Sequence, residues 1–411
     1  MKILIVSQYF WPENFKINDL TRELIQSGHQ VTVLTGLPNY PEGAIFDAFK
    51  QNPKAFSQWH GATILRVPLF PRGQNKISLI INYISFVITG CLMAPWLLRG
   101  QAFDVIFVFQ LSPVTVGLPA ILLAKLKRAP ILFWVQDLWP ETLSALGVVR
   151  SPALLGLVGK LVSFIYNRCE LILGQSPGFE SNIVQYCDDP GKIRYFPNWT
   201  EDVFTQNAIT PAPEITTPPG TFNILFAGNV GEAQDFPAIL DAAERLKDHP
   251  EIRWLIVGDG RMLEWVRRET VKRGLESSFL LLGRFPLERM PSFYIHADAL
   301  LVALKRDPVF ALTIPNKVQS YLMSGIPILG MLDGEGAAVI RAAGAGLTCP
   351  SGDGAGLVEA VLKLHALDAA SRKVMGANGH AYAQKEFNRK TLIERLNGWM
   401  QQVVTKNRRT V

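Results

Sequence analysis

Ile3 to Val6 is a four-residue apolar run with a turn after it, and this sequence of short apolar run, turn and helix recurs along the chain. A run so short, bounded by turns, suits a strand buried on both faces of a parallel sheet. Asn18 to Ile25 follows as a helix with Leu20, Leu24 and Ile25 on one face. Gly28-His29 closes it, and Val31 to Leu34 is the next strand. Parallel neighbours need such a crossover, so the pattern admits an α/β fold built of βαβ units. Ala62 to Pro68, Asp104 to Phe109, Ile131 to Val135, Leu171 to Leu173 and Ile193 to Phe196 continue the series. A second alternation begins at Phe222 to Phe226 and runs through Ile252 to Val257, Phe279 to Leu282, Ala299 to Ala303 and Ile326 to Leu329.

Two such series in 411 residues predict two domains. Asn207 to Gly220 is proline-rich and polar, a linker or irregular loop by composition. The expected division is a first domain over 1–200, a linker over 201–220, a second domain over 221–388 and a terminal helical segment over 389–411.

Charge and cysteine usage narrow the function classes. A net charge of +6 fits anionic ligands or an anionic membrane face. No basic run is interleaved with aromatics, so nucleic acid is not an expected partner. Cys91, Cys169, Cys187 and Cys349 are scattered, which fits neither a zinc pattern nor a disulfide framework and points to a reducing cytoplasm. MKILIVSQYF opens directly on a strand rather than a signal peptide. The six histidines lack metal-ligand spacing, and no Asp-x-Asp pair lies on a strand end, so no metal or cofactor is required.

Three stretches carry chemistry. Ile314 to Gly330 reads IPNKVQSYLMSGIPILG. Pro315 suits a first helical turn, Val318, Tyr321 and Leu322 recur at helical spacing, and Gly325 and Pro327 stop the helix. Unpaired N–H groups at such an N-terminus, with Asn316 and Lys317 in the first turn, suit a phosphate; an ordinary helix with a surface lysine reads the same way. Ala227-Gly228-Asn229-Val230-Gly231, and Gly258 before the next helix, are glycine turns that let backbone amides approach phosphate. Ile131 to Val135 runs into Gln136-Asp137-Leu138-Trp139-Pro140-Glu141, where two carboxylates four apart can share one side of a helical turn. Asp137 is a candidate for cleft chemistry, or a helix cap with a surface Glu141.

These stretches resemble the nucleotide-sugar site of the retaining glycosyltransferases of family four. PNKVQSYLMSGIPI followed by DGEGAAVI, together with QDLWPE, is similar to bacterial surface-polysaccharide transferases such as the L-fucosamine and colanic-acid transferases. The resemblance implies a GT-B architecture, two Rossmann-like domains facing across a cleft, with the last helix crossing back to the first domain. It implies donor contacts at Gly228, Asn229, Gly231, Gln234, Gly258, Arg284, Phe285, Asn316, Lys317 and Ser320. Acceptor or phosphate neighbours would be Glu13, Asn14, Phe15, Lys16, Asn39 and Tyr40, and catalytic carboxylates Asp137, Glu141 and Glu335. The chain departs from the family in four places. Pro12 to Lys16 replaces a glycine-rich loop, Gln136 replaces a histidine, and Asn229 and Gln234 replace Arg and Lys. Leu312 and Ser320 stand where the family has paired glutamates. Glu335 either supplies carboxylate chemistry or favours its helix N-terminus.

Ile77 to Leu98 is apolar and uncharged and, at about 33 Å as a helix, nearly spans a bilayer. Asn82, Ser85 and Thr89 interrupt it and both neighbours read as strands of one sheet. The expectation is a helix packed on the sheet and dipping into the membrane surface. The implied function is transfer of a sugar, an N-acetylated amino or deoxyamino sugar, from a UDP-sugar to a polyprenyl-linked saccharide. The implied setting is the cytoplasmic face of the inner membrane, in O-antigen, capsule or exopolysaccharide synthesis. Alternatives are a UDP-sugar 2-epimerase of the same fold and a non-catalytic membrane-associated assembly partner. A dinucleotide oxidoreductase is disfavoured, since neither opening loop carries G-x-G-x-x-G.

Overall fold

The computed structural model describes residues 1–73, 75–145, 147–205 and 209–410. The chain divides into two compact units, Met1–Pro197 with Lys390–Val411, and Asn198–Arg389.

The first unit is an eight-stranded sheet of β1 (Lys2–Val6), β2 (Gln30–Gly36), β3 (Gln58–Trp59), β4 (Ala62–Val67), β5 (Val105–Gln110), β6 (Ile131–Val135), β7 (Leu171–Gly174) and β8 (Ile193–Tyr195). The order is β3-β4-β2-β1-β5-β6-β7-β8. Its pairings are parallel except for the short β3–β4 pair. Every residue of β5 and β6 is buried, as a strand covered on both faces must be. The helix Arg389–Thr410 buries Leu392, Leu396 and Met400. It is tied to the rest of this unit by Lys406 to Glu170 at 2.5 Å, Arg408 to Asp104 at 2.6 Å and the Phe196–Trp399 ring contact.

The second unit is a six-stranded, wholly parallel sheet of β9 (Phe222–Ala227), β10 (Ile252–Val257), β11 (Phe279–Gly283), β12 (Ala299–Ala303), β13 (Ile328–Met331) and β14 (Gly346–Cys349), in the order β11-β10-β9-β12-β13-β14. Alternate residues feed opposite cores. Phe222, Ile224 and Phe226 of β9 join one, and Leu225 and Ala227 the other.

Strand direction reverses its lateral course once in each sheet, between β1 and β5 and between β9 and β12. Open parallel sheets leave a crevice at such a point, outside the carboxyl ends of the strands.

Two expectations need correction. The segment 201–220 is not a free linker. Phe204, Ala212 and Ile215 are buried in the second core, and the Ala212 N–H donates to Ser292 O at 2.9 Å. Composition counts the prolines and misses the apolar residues spaced between them; the first residues of the proline-rich stretch, Asn207 and Ala208, lie outside the described residues. The strand expected over Ile326 to Leu329 is Ile328–Met331, because Pro327 has no N–H and ladder donation starts at Ile328. Between β11 and β12 the chain forms a short turn over Leu287–Arg289 followed by the helix Met290–Tyr294.

Leu396→Ala is expected to lower the stability of the first unit by about 2–5 kcal/mol through the cavity it leaves. Denaturant unfolding followed at Trp399 measures it, and a change below about 0.5 kcal/mol would mean the terminal helix is not part of that core.

Candidate functional site

In the second unit the turn after β9 brings Gly228 against Gly258 at the end of β10. Gly228 has φ +136 and Gly258 φ +156. A Cβ on Gly258 would stand 1.8 Å from the Gly228 carbonyl oxygen, so only two glycines let these strand ends meet. They line a cleft of about 430 Å³ with Asn229, Asp259, Gly260, Arg284 and Phe285. Arg284 is exposed, and Phe285 packs on Phe293 at 4.6 Å between ring centroids. Arg289, which sequence reasoning missed, lies over both rings at 5.4 Å and is anchored by Glu214 at 2.8 Å.

The helix Asn316–Ser324 starts at an extended Pro315 and ends at Gly325. Its Tyr321 hydroxyl accepts the Ala227 N–H at 3.0 Å, which pins the end of β9 to the helix. Lys317, one turn earlier, is half-buried, with its ammonium enclosed. Its ammonium rests on the Phe226 ring, 3.6 Å from the centroid, and Nζ has no hydrogen-bond partner among the described residues. A Cβ on Gly228 would lie 2.5 Å from Lys317 Cε, so the lysine packs directly against the cleft-lining turn. Burial alone pulls its pKa down to about 7.

The other expected donor residues divide. Gly228, Asn229, Gly258, Arg284 and Phe285 line the cleft; Gly231, Gln234, Asn316, Lys317 and Ser320 do not. Gln234 Oε1 accepts the Gly231 N–H at 3.2 Å and lies 3.4 Å from Asn229 Nδ2, so its carboxamide braces the turn. Asn316 Oδ1 accepts from Asn198 at 3.1 Å, and the Ser320 hydroxyl donates to Glu201 at 3.3 Å. Glu335 lies in the first turn of the helix Gly334–Ala342. Gln319, unforeseen, is buried with neither carboxamide atom partnered among the described residues.

In the first unit, Glu13 stands beside the end of β1 and accepts the N–H groups of Phe10 at 3.2 Å and of Asn39 and Tyr40 at 2.8 Å. Burial nevertheless lifts its carboxyl to about 7, the amides and Arg66 pulling the other way. Asn39 is fully buried, and its Oδ1 accepts the Arg72 N–H at 2.7 Å. Glu13 and Asn39 therefore join the loops after β1, β2 and β4. Tyr40 presents its ring to Tyr9, to Phe15 and, at 5.2 Å, to the Arg72 guanidinium. Asn14 is exposed and Lys16 opens the helix Lys16–Gln26.

Asp137 follows β6. Its carboxyl has no hydrogen-bond partner among the described residues, and burial raises its pKa to about 7 against the pull of Arg72. Glu141 is committed elsewhere: the Tyr186 hydroxyl donates to its Oε1 at 2.8 Å. The two carboxylates that spacing puts on one side thus have different neighbours, Arg72 and Tyr83 for Asp137 and Tyr186 for Glu141.

Residues 221–366 match the glycosyl transferases group 1 family, and residues 15–199 the glycosyl transferase 4-like domain. WcaI of Escherichia coli (strain K12), named as a colanic acid biosynthesis glycosyl transferase, is 25% identical over 95% of this chain and 96% of its own length. WbjE of Pseudomonas aeruginosa, named as a glycosyltransferase, is 27% identical over 77% of this chain and 81% of its own. The Anabaena HepE structure in complex with UDP superposes with a TM-score of 0.69 at 12% identity, covering 98% of this chain and 100% of that one. The fold is GT-B.

Asp137 titrates in the folded chain near pH 7, well above its ordinary value of 3.8. A raised folded pKa means that this group's penalty grows as pH rises from about 4 to about 7 and is complete above that. Asp137→Asn is expected to stabilise the first unit by about 1–3 kcal/mol at pH 8 and by much less at pH 4. Unfolding curves at both pH values test this, and an equal effect at each would show that the carboxyl is not held neutral.

Proposed function

Since this chain belongs to the glycosyltransferases, with a group 1 domain in its second unit and a 4-like domain in its first, we propose that it moves a sugar from a UDP-sugar to a polyprenyl-linked saccharide. The transfer retains the anomeric configuration and uses no metal. The name of the Escherichia coli relative supports bacterial polysaccharide as the product; the group moved is, on our reading, an N-acetylated amino or deoxyamino sugar. A polyprenyl-linked acceptor puts the reaction at the cytoplasmic face of the inner membrane.

The observation that carries the reading is Lys317: a buried ammonium without an anionic partner among the described residues, at a helix N-terminus, packed against a glycine turn that lines a cleft. As the bond between the sugar C1 and the β-phosphate oxygen breaks, negative charge collects on the diphosphate. A fixed cation and backbone amides stabilise that charge more than the ground state, which is what raises the rate. The leaving phosphate oxygen takes the proton of the acceptor hydroxyl, and the new C1–O bond forms on the same face. Arg284 and Phe285 hold the uracil end of the donor, and Asp137 accepts hydrogen bonds from acceptor hydroxyls.

UDP release from a panel of UDP- and GDP-sugars, with and without a membrane lipid extract, tests the reading. Release of UDP only with lipid is the expected result; release without lipid would favour an epimerase or hydrolysis. Lys317→Ala is expected to lower kcat by about 10²–10³-fold, and full turnover would remove the lysine from the phosphate site. Because Lys317 titrates near 7 in the unliganded chain, UDP at pH 8 is expected to bind with uptake of a proton. Calorimetry in two buffers of different ionisation enthalpy reads this directly, and Lys317→Met should abolish the uptake.

A further inference from the structure

The helix Lys76–Leu97 buries Asn82, Tyr83, Phe86 and Ala94, and its polar side chains tie one flank to the loops after β1 and β4. Asn82 Nδ2 donates to Phe70 O at 2.6 Å, and Asn82 Oδ1 accepts from Gln8 at 2.7 Å. Ser85 Oγ accepts the Phe70 N–H at 3.0 Å, and Thr89 Oγ1 donates to Pro68 O at 2.6 Å. The outward face carries Ile77, Ile84, Ile88, Leu92 and Trp96 into the open, Ile77 at 71%, Leu92 at 73% and Trp96 at 62% exposure. Only 28% of its most apolar stretch is buried. A helix packed on a sheet in water turns a polar face outward, and an apolar outward face of this extent marks an interaction site.

The neighbouring helices extend the face. The helix Gly117–Lys127 packs against Lys76–Leu97 and against Pro152–Tyr166. It exposes Leu126, and Pro152–Tyr166 exposes Leu154, Leu157 and Phe164. None of the three helices contains a carboxylate, while Lys125 and Lys160 are exposed on them. Two aromatic rings near their carboxyl ends each carry an arginine: Arg99 over Trp96 at 5.2 Å and Arg168 over Phe164 at 3.6 Å. Rings with a cation beside them suit the depth where acyl chains meet headgroups. The absence of acid on the three helices, beside their exposed lysines, complements anionic phospholipid.

We propose that this three-helix face seats the first unit in one leaflet of an anionic bilayer, with Ile84, Ile88 and Leu92 among the acyl chains and Arg99 and Arg168 at the phosphates. The helix lies along the surface rather than across it, because Asn82, Ser85 and Thr89 hold its other face to the strand ends. The proposal concerns a surface and a lipid class, and it stands whatever sugar the protein moves.

The test is flotation of the purified full chain with vesicles of phosphatidylethanolamine and phosphatidylglycerol, against vesicles of phosphatidylcholine alone, without donor or acceptor. The expected result is co-flotation with the anionic vesicles, release by alkaline carbonate, and at least tenfold weaker binding for Ile84→Glu/Leu92→Glu. Both substituted positions are exposed, so the variant should keep the wild-type circular dichroism and melting profile. No flotation of the wild type, or equal flotation of the variant, would overturn the proposal. So would carbonate-resistant retention, which means a spanning helix, or a dimer in solution that the double variant disperses, which means a second copy covers the face. Flotation uses no nucleotide, so its failure is distinct from failure of the UDP-release assay.

Discussion

The constraint that governs this molecule is burial of parallel strands on both faces. A strand with no wet face has no place for a polar side chain along its length, so chemistry can stand only where the strand ends. The fully buried exceptions Thr35 in β2 and Asn223 in β9 are hydrogen-bonded to backbone carbonyls, of Gln8 and His296. β5 and β6 are buried throughout, and the polar groups follow at once: Ser7 and Gln8 after β1, Gln110 closing β5, Gln136 and Asp137 after β6. In the second sheet the glycine turns occupy the same places after β9 and β10.

Burial at those ends has a second effect. Glu13, Asp137 and Lys317 sit where ionisation is costly, and each is drawn toward neutrality from its own side of the scale. They are not equivalent. Glu13 has three amide donors and serves the loops; the Asp137 carboxyl and the Lys317 ammonium have no hydrogen-bonding partner among the described residues.

Much of this was legible in the residues. The alternation of short apolar runs with helices marks the strands, because a doubly buried strand cannot hide its composition. The helix over 316–324 announces itself by Pro315 and Gly325, and Lys317 by its place in the first turn. What could not be read were commitments between residues far apart in the chain. Nothing local tells that Glu141 is taken by Tyr186, that Gln234 braces its own turn, or that Arg289 reaches from Glu214 to cover Phe285. The buried segment around Ala212 and Ile215 was hidden for the same reason: proline content reports local stiffness, while burial depends on a partner supplied by Ser292 and its helix.

The carboxamide of Asn82 is occupied at both ends, by Phe70 on one side and Gln8 on the other. That sets the rotational phase of a long, otherwise featureless helix. One residue inserted or deleted between Lys76 and Asn82 would shift the preceding side chains by about 100° around the axis, while Asn82 stayed docked. Isoleucines would move toward the strand ends and backbone-facing positions would come outward, with the composition unchanged. The character of that surface is thus a matter of angular register, and hydropathy alone cannot record it.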